Sequence, residues 1–124
     1  MIPTVTGFIG ERPRGFPGRC QLYVWCDWCV RWHCHGVACD ERPGTFTHRA
    51  ASCCDNTEQS AYKRHGYRIR ISAHPCERVA RSVREANSLQ RSIICHDGRT
   101  TPGIERLREQ RPTVVLRPHP RRSR

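Results

Sequence analysis

The residues with the most chemistry in them are Cys26-Asp27-Trp28-Cys29. Two thiols separated by two residues, on a tight turn leaving a strand, can face one ion, which is the usual knuckle geometry for zinc. The same spacing serves redox pairs, but those open a helix within a βαβ unit, and Val30-Arg31-Trp32-His33 does not read as a helix start. A structural Zn2+ is therefore expected, and it needs two more ligands. The local pair is Cys34 and Cys39, giving Cys-x2-Cys-x4-Cys-x4-Cys, a single-strand-binding zinc knuckle with cysteine where histidine normally sits. The wider pair is His48 and Cys53, giving Cys-x2-Cys-x18-His-x4-Cys, in which the second pair closes a long loop. His33 and His35 are further candidates for one position. Spacing alone leaves these sets open. Cys26, Cys29, Cys34 and Cys39 would also suit an iron–sulfur cluster, which makes a brown protein where zinc makes a colourless one.

Sharper catalytic motifs are missing. A zinc deaminase needs His-x-Glu ahead of Pro-Cys-x-x-Cys, and the chain contains no His-x-Glu. Neither His-Glu-x-x-His nor a Gly-rich loop ending in Lys-Ser/Thr occurs. The second CxxC of a treble-clef nuclease is absent as well. Asp27 and Asp40 are the acids nearest the CxxC, and both read as turn residues, so no general base stands beside it. The sequence points to a binding protein, not an enzyme.

The elements that must position the cysteines are short. Gln21-Leu22-Tyr23-Val24-Trp25 is aromatic and β-branched and reads as a strand running into Cys26. Residues 31–35 form its expected partner, ended by Gly36. Tyr67-Arg68-Ile69-Arg70-Ile71 alternates strictly, with Tyr67, Ile69 and Ile71 on one face and Arg68 and Arg70 on the other. A small antiparallel sheet within a zinc-binding module of residues 20–72 follows. Residues 1–19, with three prolines and four glycines, read as a flexible segment. Past Ser72, Cys76, Val79, Val83, Ala86, Leu89 and Ile93 fall at steps of 3 or 4. That stripe predicts a basic amphipathic helix over 75–94 within the 73–98 segment, started by Pro75 and stopped by Gly98. In the 99–124 segment a shorter helix is expected from Thr101-Pro102 to Gln110, then a last strand over 113–116 and a disordered Arg/Pro-rich tail. The expected fold class is small α+β: a zinc-ribbon-like antiparallel β module, an amphipathic helix and disordered termini.

Composition bounds the partners. The 124 residues carry 22 Lys+Arg against 11 Asp+Glu, a net charge of +11, and all but Lys63 of the basic residues are arginine. Such a charge attracts polyanions. Trp28 and Trp32 could stack bases while Arg31, Arg49, Arg64, Arg68 and Arg70 neutralise phosphates, so nucleic acid is the leading expected partner. The alternative is a protein-interaction adaptor that docks the 75–94 stripe. No apolar run is long enough to span a bilayer, and residues 1–10 lack a basic n-region and a secretory apolar run, so a cytoplasmic, reducing compartment is expected. The cysteine count of 9 is odd, which argues against a closed disulfide framework. Cys20 and Cys54 are read as free thiols. Cys76 is read as core packing, with Cys95 at the far end of the predicted helix.

Beyond spacing, the stretch from Tyr23 to Ile71 resembles a group of small Cys/His proteins of high-GC bacteria and their phages. The matching residues are Cys26-x2-Cys29, Trp32-His33-Cys34-His35-Gly36, His48-Arg49-Ala50-Ala51-Ser52-Cys53, Ser60-Ala61-Tyr62 and Gly66-Tyr67. The chain departs from the group's pattern at Cys34, Thr47 and Ala61. The resemblance implies a zinc-ribbon-like module with ligands Cys26, Cys29, His48 and Cys53, and it implies no activity.

Overall fold

The computed structural model of the chain describes residues 2–11, 20–37, 41–55, 58–74, 76–97 and 99–115. Five strands form one mixed sheet: β1 Thr4–Glu11, β2 Cys20–Cys26, β3 Arg31–Gly36, β4 Phe46–Arg49 and β5 Tyr67–Ser72, in the order β3-β2-β1-β5-β4. All neighbours are antiparallel except β1 and β5. The sheet is therefore mixed where the sequence suggested purely antiparallel pairing.

The largest departure is β1. Residues 4–11 fall in the segment read as flexible, yet they form the central strand; 12–19 lie outside the described residues. Gly7 and Gly10 look like breakers in the sequence, but here they let other chains come close. A Cβ on Gly7 would sit 2.5 Å from Ile69 Cγ2 and 2.9 Å from Leu22 Cδ1, and one on Gly10 would sit 2.7 Å from Cys76 Cβ. Isolated glycine in a strand marks such close approach as often as a break.

The two sheet faces have different fates. The sheet curls so that its inner face closes on Leu22, Val24, Tyr67, Ile69 and Ile71, all buried, with Val5 and Ile9 against them. On the outer face of β1–β3, Phe8, Trp25 and Trp32 are covered by the C-terminal segment. Among the described residues nothing covers the outer face of β4 and β5 in this way: Phe46, Arg68 and Arg70 are exposed and His48 lies open beside them.

The cover is not the single helix the apolar stripe predicts. It consists of α2 Cys76–Val79, a 3₁₀ turn over Ala80–Ser82, α3 Ser88–Ser92 with a π-type turn over Ile93–Asp97, and α4 Pro102–Arg108. Helix α1 Ala61–His65 lies earlier, between β4 and β5. Two local effects break the long helix. Val83 is extended, at φ −128° and ψ 151°, and soon after it the Ala86 amide donates to Val30 O at 2.9 Å. Asn87 then caps α3 in a capping box, its Oδ1 accepting from the Gln90 amide while Gln90 Oε1 accepts from the Asn87 amide. Cys76, Val79, Val83, Ala86 and Ile93 still reach the core, but from separate turns, while Leu89 is exposed. Helix α4 begins with Thr101 Oγ1 accepting from the Ile104 amide. Residues 113–115 are not a strand, although the Val115 amide bonds Arg78 O at 2.9 Å. Among the described residues no helix is long and apolar enough to cross a membrane.

Candidate metal centre

Strand parity decides which side chains meet. Successive side chains along a strand point to opposite faces. Cys26 ends β2 on the inner face that Leu22 and Val24 share, and His33 reaches the same face as the register partner of Val24. Between them the chain turns at Asp27–Val30, with Val30 fully buried at φ +53°. A β-branched residue there is strained by about 1–2 kcal/mol. The strain is held in place by burial and by the Ala86–Val30 bond, and it brings Cys29 back beside Cys26. The Cys29 amide points at Cys26 Sγ, 3.4 Å away.

Cys53 follows β4 and closes the group. Its Sγ lies 3.6 Å from Cys26 Sγ and 3.3 Å from Ser60 Oγ. Ser60 is itself fixed, because its amide donates to the buried Asp55 Oδ2 at 2.7 Å and its hydroxyl caps α1. The ligand atoms of Cys26, Cys29, His33 and Cys53 all lie within 4.8 Å of one another, and all four residues are buried. A zinc tetrahedron with 2.3 Å Zn–S bonds has sulfur–sulfur edges of about 3.8 Å. The Cys26–Cys53 separation matches that edge.

The histidine shows the clearest sign of a ligand. His33 Nδ1 sits 3.3 Å from the Tyr67 hydroxyl, while Nε2 is buried and has no hydrogen-bond partner among the described residues. A buried nitrogen left without a partner is costly unless something binds it. The same Tyr67 hydroxyl also meets His35 Nε2. Burial, with the nearby thiols, pushes the Tyr67 phenol up, and burial, with the His33 charge, pushes His35 down to about 4. The phenol therefore keeps its proton and His35 stays neutral at pH 7. The consistent arrangement is His33 Nδ1–H donating to Tyr67 and Tyr67 O–H donating to His35. It leaves the His33 Nε2 lone pair free, as in metal-bound histidines oriented by an outer hydrogen bond.

The three thiols are electrically coupled. Hydrogen bonds from Cys26 and then Cys29 hold Cys53 down to about 3, while those to Cys29 and Cys53, and then burial, push Cys26 up. One thiolate is thus ready, and binding a divalent ion must displace protons from the others.

Of the four residues proposed from the wide spacing and the resemblance, the structure gathers Cys26, Cys29 and Cys53 but not His48. His48 pairs with Arg68 on the outer face, its Nε2 3.3 Å from His65 O. His33, one of the alternatives, takes the fourth position. Cys34 is exposed on the opposite face of β3 from His33, so the compact knuckle does not form around it, and Cys39 lies outside the described residues. His35 stands behind Tyr67 and outside the group. Cys54, read as a free thiol, is disulfide-bonded to Cys95, with Cα atoms 5.0 Å apart. The breakup of the long helix is what brings Cys95 within reach. Cys76 is buried and packed with Phe8 and Val79, as core packing requires, and nothing is described of the Cys20 side chain.

The expected nucleic-acid residues divide. Trp28 and Trp32 pack inside: Arg108 lies 4.1 Å over the Trp28 ring and donates to Trp28 O, and Trp32 packs edge-on with Trp25 and Phe8. Arg31 is half-buried and Arg49 pairs with Glu41, whereas Arg64, Arg68 and Arg70 are exposed. Phe46, absent from the sequence-based set, is 47% exposed beneath Arg68, whose guanidinium lies 4.0 Å over its ring. Its only sequence signal is the short alternation Phe46-Thr47-His48.

Tyr67→Phe is expected to weaken zinc binding by about 10–100-fold, the usual cost of losing an outer hydrogen bond to a ligand, while leaving the fold intact. A chelator competition titration checks it; unchanged affinity would show that Tyr67 does not orient His33.

Comparison of the chain with known protein families, with curated proteins and with solved structures finds no match.

Proposed function

We propose that the chain is a small structural-zinc protein that binds nucleic acid, with Cys26, Cys29, His33 and Cys53 holding one Zn2+. The observation that carries this reading is the buried Cys/His group, with ligand atoms within 4.8 Å and one histidine nitrogen lacking a partner. Thiolate and imidazole together suit zinc and disfavour hard cations such as Mg2+ and Ca2+. Four protein ligands leave no open position for water or substrate, which is the pattern of structural zinc and not catalytic zinc. The four-cysteine set for an iron–sulfur centre includes Cys34, which is exposed on the opposite face of β3 from His33. The Cys54–Cys95 disulfide runs against the reducing compartment expected from the sequence, so no compartment is part of this reading.

The nucleic-acid part draws on the net charge of +11 and on the uncovered outer face of β4 and β5. There Arg68 and Arg70 flank an exposed Phe46, with Arg64 exposed close by in sequence. Arginines neutralise phosphates, and an exposed ring stacks a base at about 1–3 kcal/mol. The adaptor alternative is less well supported. Cys76 and Val79 are buried in the protein's own core and Val83 and Ile93 pack against it, so of the stripe meant for a partner only Leu89 is left exposed.

Native mass spectrometry on protein purified without added metal should find a single zinc per chain in a colourless sample; iron in a brown one would overturn the assignment. Arg68→Gln/Arg70→Gln should lower the slope of log K against log salt for single-stranded oligonucleotide by about 1.4, or about 0.7 for each phosphate no longer neutralised. An unchanged slope would remove that face from the reading.

A further inference from the structure

A cleft of about 760 Å³ lies between the 81–90 segment and α4, lined by none of the residues of the metal centre. Arg81, Arg84 and Arg106 line it together with Asn87, Gln90 and Gln110. Its polar groups are nearly all donors, for reasons visible in the hydrogen bonds. The capping box turns Asn87 Oδ1 and Gln90 Oε1 onto backbone amides, so both side chains present only their NH2 groups to the cleft. The Gln110 amide clasps Arg84 from both sides, its Oε1 accepting from the Arg84 amide at 2.8 Å and its Nε2 donating to Arg84 O at 2.9 Å. That clasp fixes the extended wall against the end of α4. The one carboxylate in the lining, Glu85, is engaged by the Trp32 amide, which donates to its Oε2 at 3.0 Å. Among the described residues no carboxylate pairs with Arg81, Arg84 or Arg106.

A cleft lined by three arginines and by the Asn87 and Gln90 amides, against the single carboxylate of Glu85, is complementary to a ligand rich in acceptor oxygens. Its volume falls in the range of small-molecule sites, about 300–1,000 Å³, and exceeds what a single oxyanion fills. We propose that this cleft binds a ligand carrying two or more phosphoryl groups, the chemistry shared by a nucleoside triphosphate and the backbone of a nucleic-acid strand. The site goes beyond the β4–β5 face described above and does not depend on it.

The test uses the full zinc-loaded chain, with ATP, a short single-stranded oligonucleotide and inorganic phosphate as separate probes. Arg84→Gln/Arg106→Gln is compared with Arg78→Gln/Arg99→Gln, which removes the same charge away from the cleft lining. The cleft variant should bind ATP or the oligonucleotide about tenfold more weakly, as expected when charge-assisted hydrogen bonds are removed, and the control variant should change by less than about twofold. Weaker binding of ATP assigns the cleft to free nucleotides, and weakening confined to the oligonucleotide assigns it to a strand. Equal weakening in both variants, or no binding of either probe above that of inorganic phosphate, overturns the proposal. Zinc content measured on the same samples reports separately on the metal centre.

Discussion

His33→Ala is expected to empty the metal centre, and His48→Ala to leave it full. Both histidines stand at plausible zinc spacing from the CxxC, so the pair separates the two geometries cleanly. His33 is buried beside three thiols with a free Nε2, while His48 lies on the other face of the sheet. Loss of His33 leaves three sulfurs and no fourth protein ligand, because Tyr67 holds His35 outside the group. The zinc signal in native mass spectra, taken in the presence of a competing chelator, should vanish for His33→Ala and persist for His48→Ala. The reverse result would mean that β4 pairs one residue out of register, since only such a slip carries His48 to the inner face.

That comparison also shows why the sequence could narrow the site but not close it. Cys26 and Cys29 stand out by residue type and spacing, Cys53 is singled out by the resemblance, and all three meet. The choice of histidine depends on register, and spacing along the chain carries no information about which face a residue takes once strands pair. Thr47 opposite Ile69 fixes His48 outward, and Val24 opposite His33 fixes that ring inward. The strands β2, β3 and β5 were legible from β-branched and aromatic alternation. Strand β1 was not, because Gly7 and Gly10 read as breakers when their role is to admit Ile69, Leu22 and Cys76. The apolar stripe over 76–93 marks residues that reach the core in every case but Leu89, which is left exposed. It cannot reveal that Ala86 is drawn to Val30, or that the Asn87–Gln90 box restarts the helix, and these local bonds outweigh periodicity. Cys54–Cys95 lay out of reach for the same reason: with one straight helix Cys95 stands far from the module, and pairing cannot be deduced from cysteine positions alone.

Chelation and reduction applied separately and then together should give three distinct melting profiles. Structural zinc in small domains contributes about 10–16 kcal/mol near neutral pH, as much as the whole stability of a typical domain, about 5–15 kcal/mol. The Cys54–Cys95 bridge spans 41 residues, which on loop-closure entropy contributes about 4 kcal/mol. On the proposed zinc assignment the metal would be the larger constraint, and a chelator alone should lower the melting temperature far more than a reductant alone. The two are also coupled through the chain, since Cys53 binds in the metal group and Cys54 is its immediate neighbour. An intact bridge ties Cys54 to Cys95, beside the buried Ile94, and so holds Cys53 near Cys26 even without metal. Chelated but oxidised protein should accordingly keep the β1–β2–β5 core and recover fully when zinc is returned. With both constraints removed, the near-ultraviolet dichroism of Trp25, Trp28 and Trp32, which flank the knuckle, should disappear and no cooperative melt should remain. If reduction alone did this while chelation did little, the bridge would be the staple of the fold. Cys26, Cys29 and Cys53 would then be thiols packed in a core, not ligands.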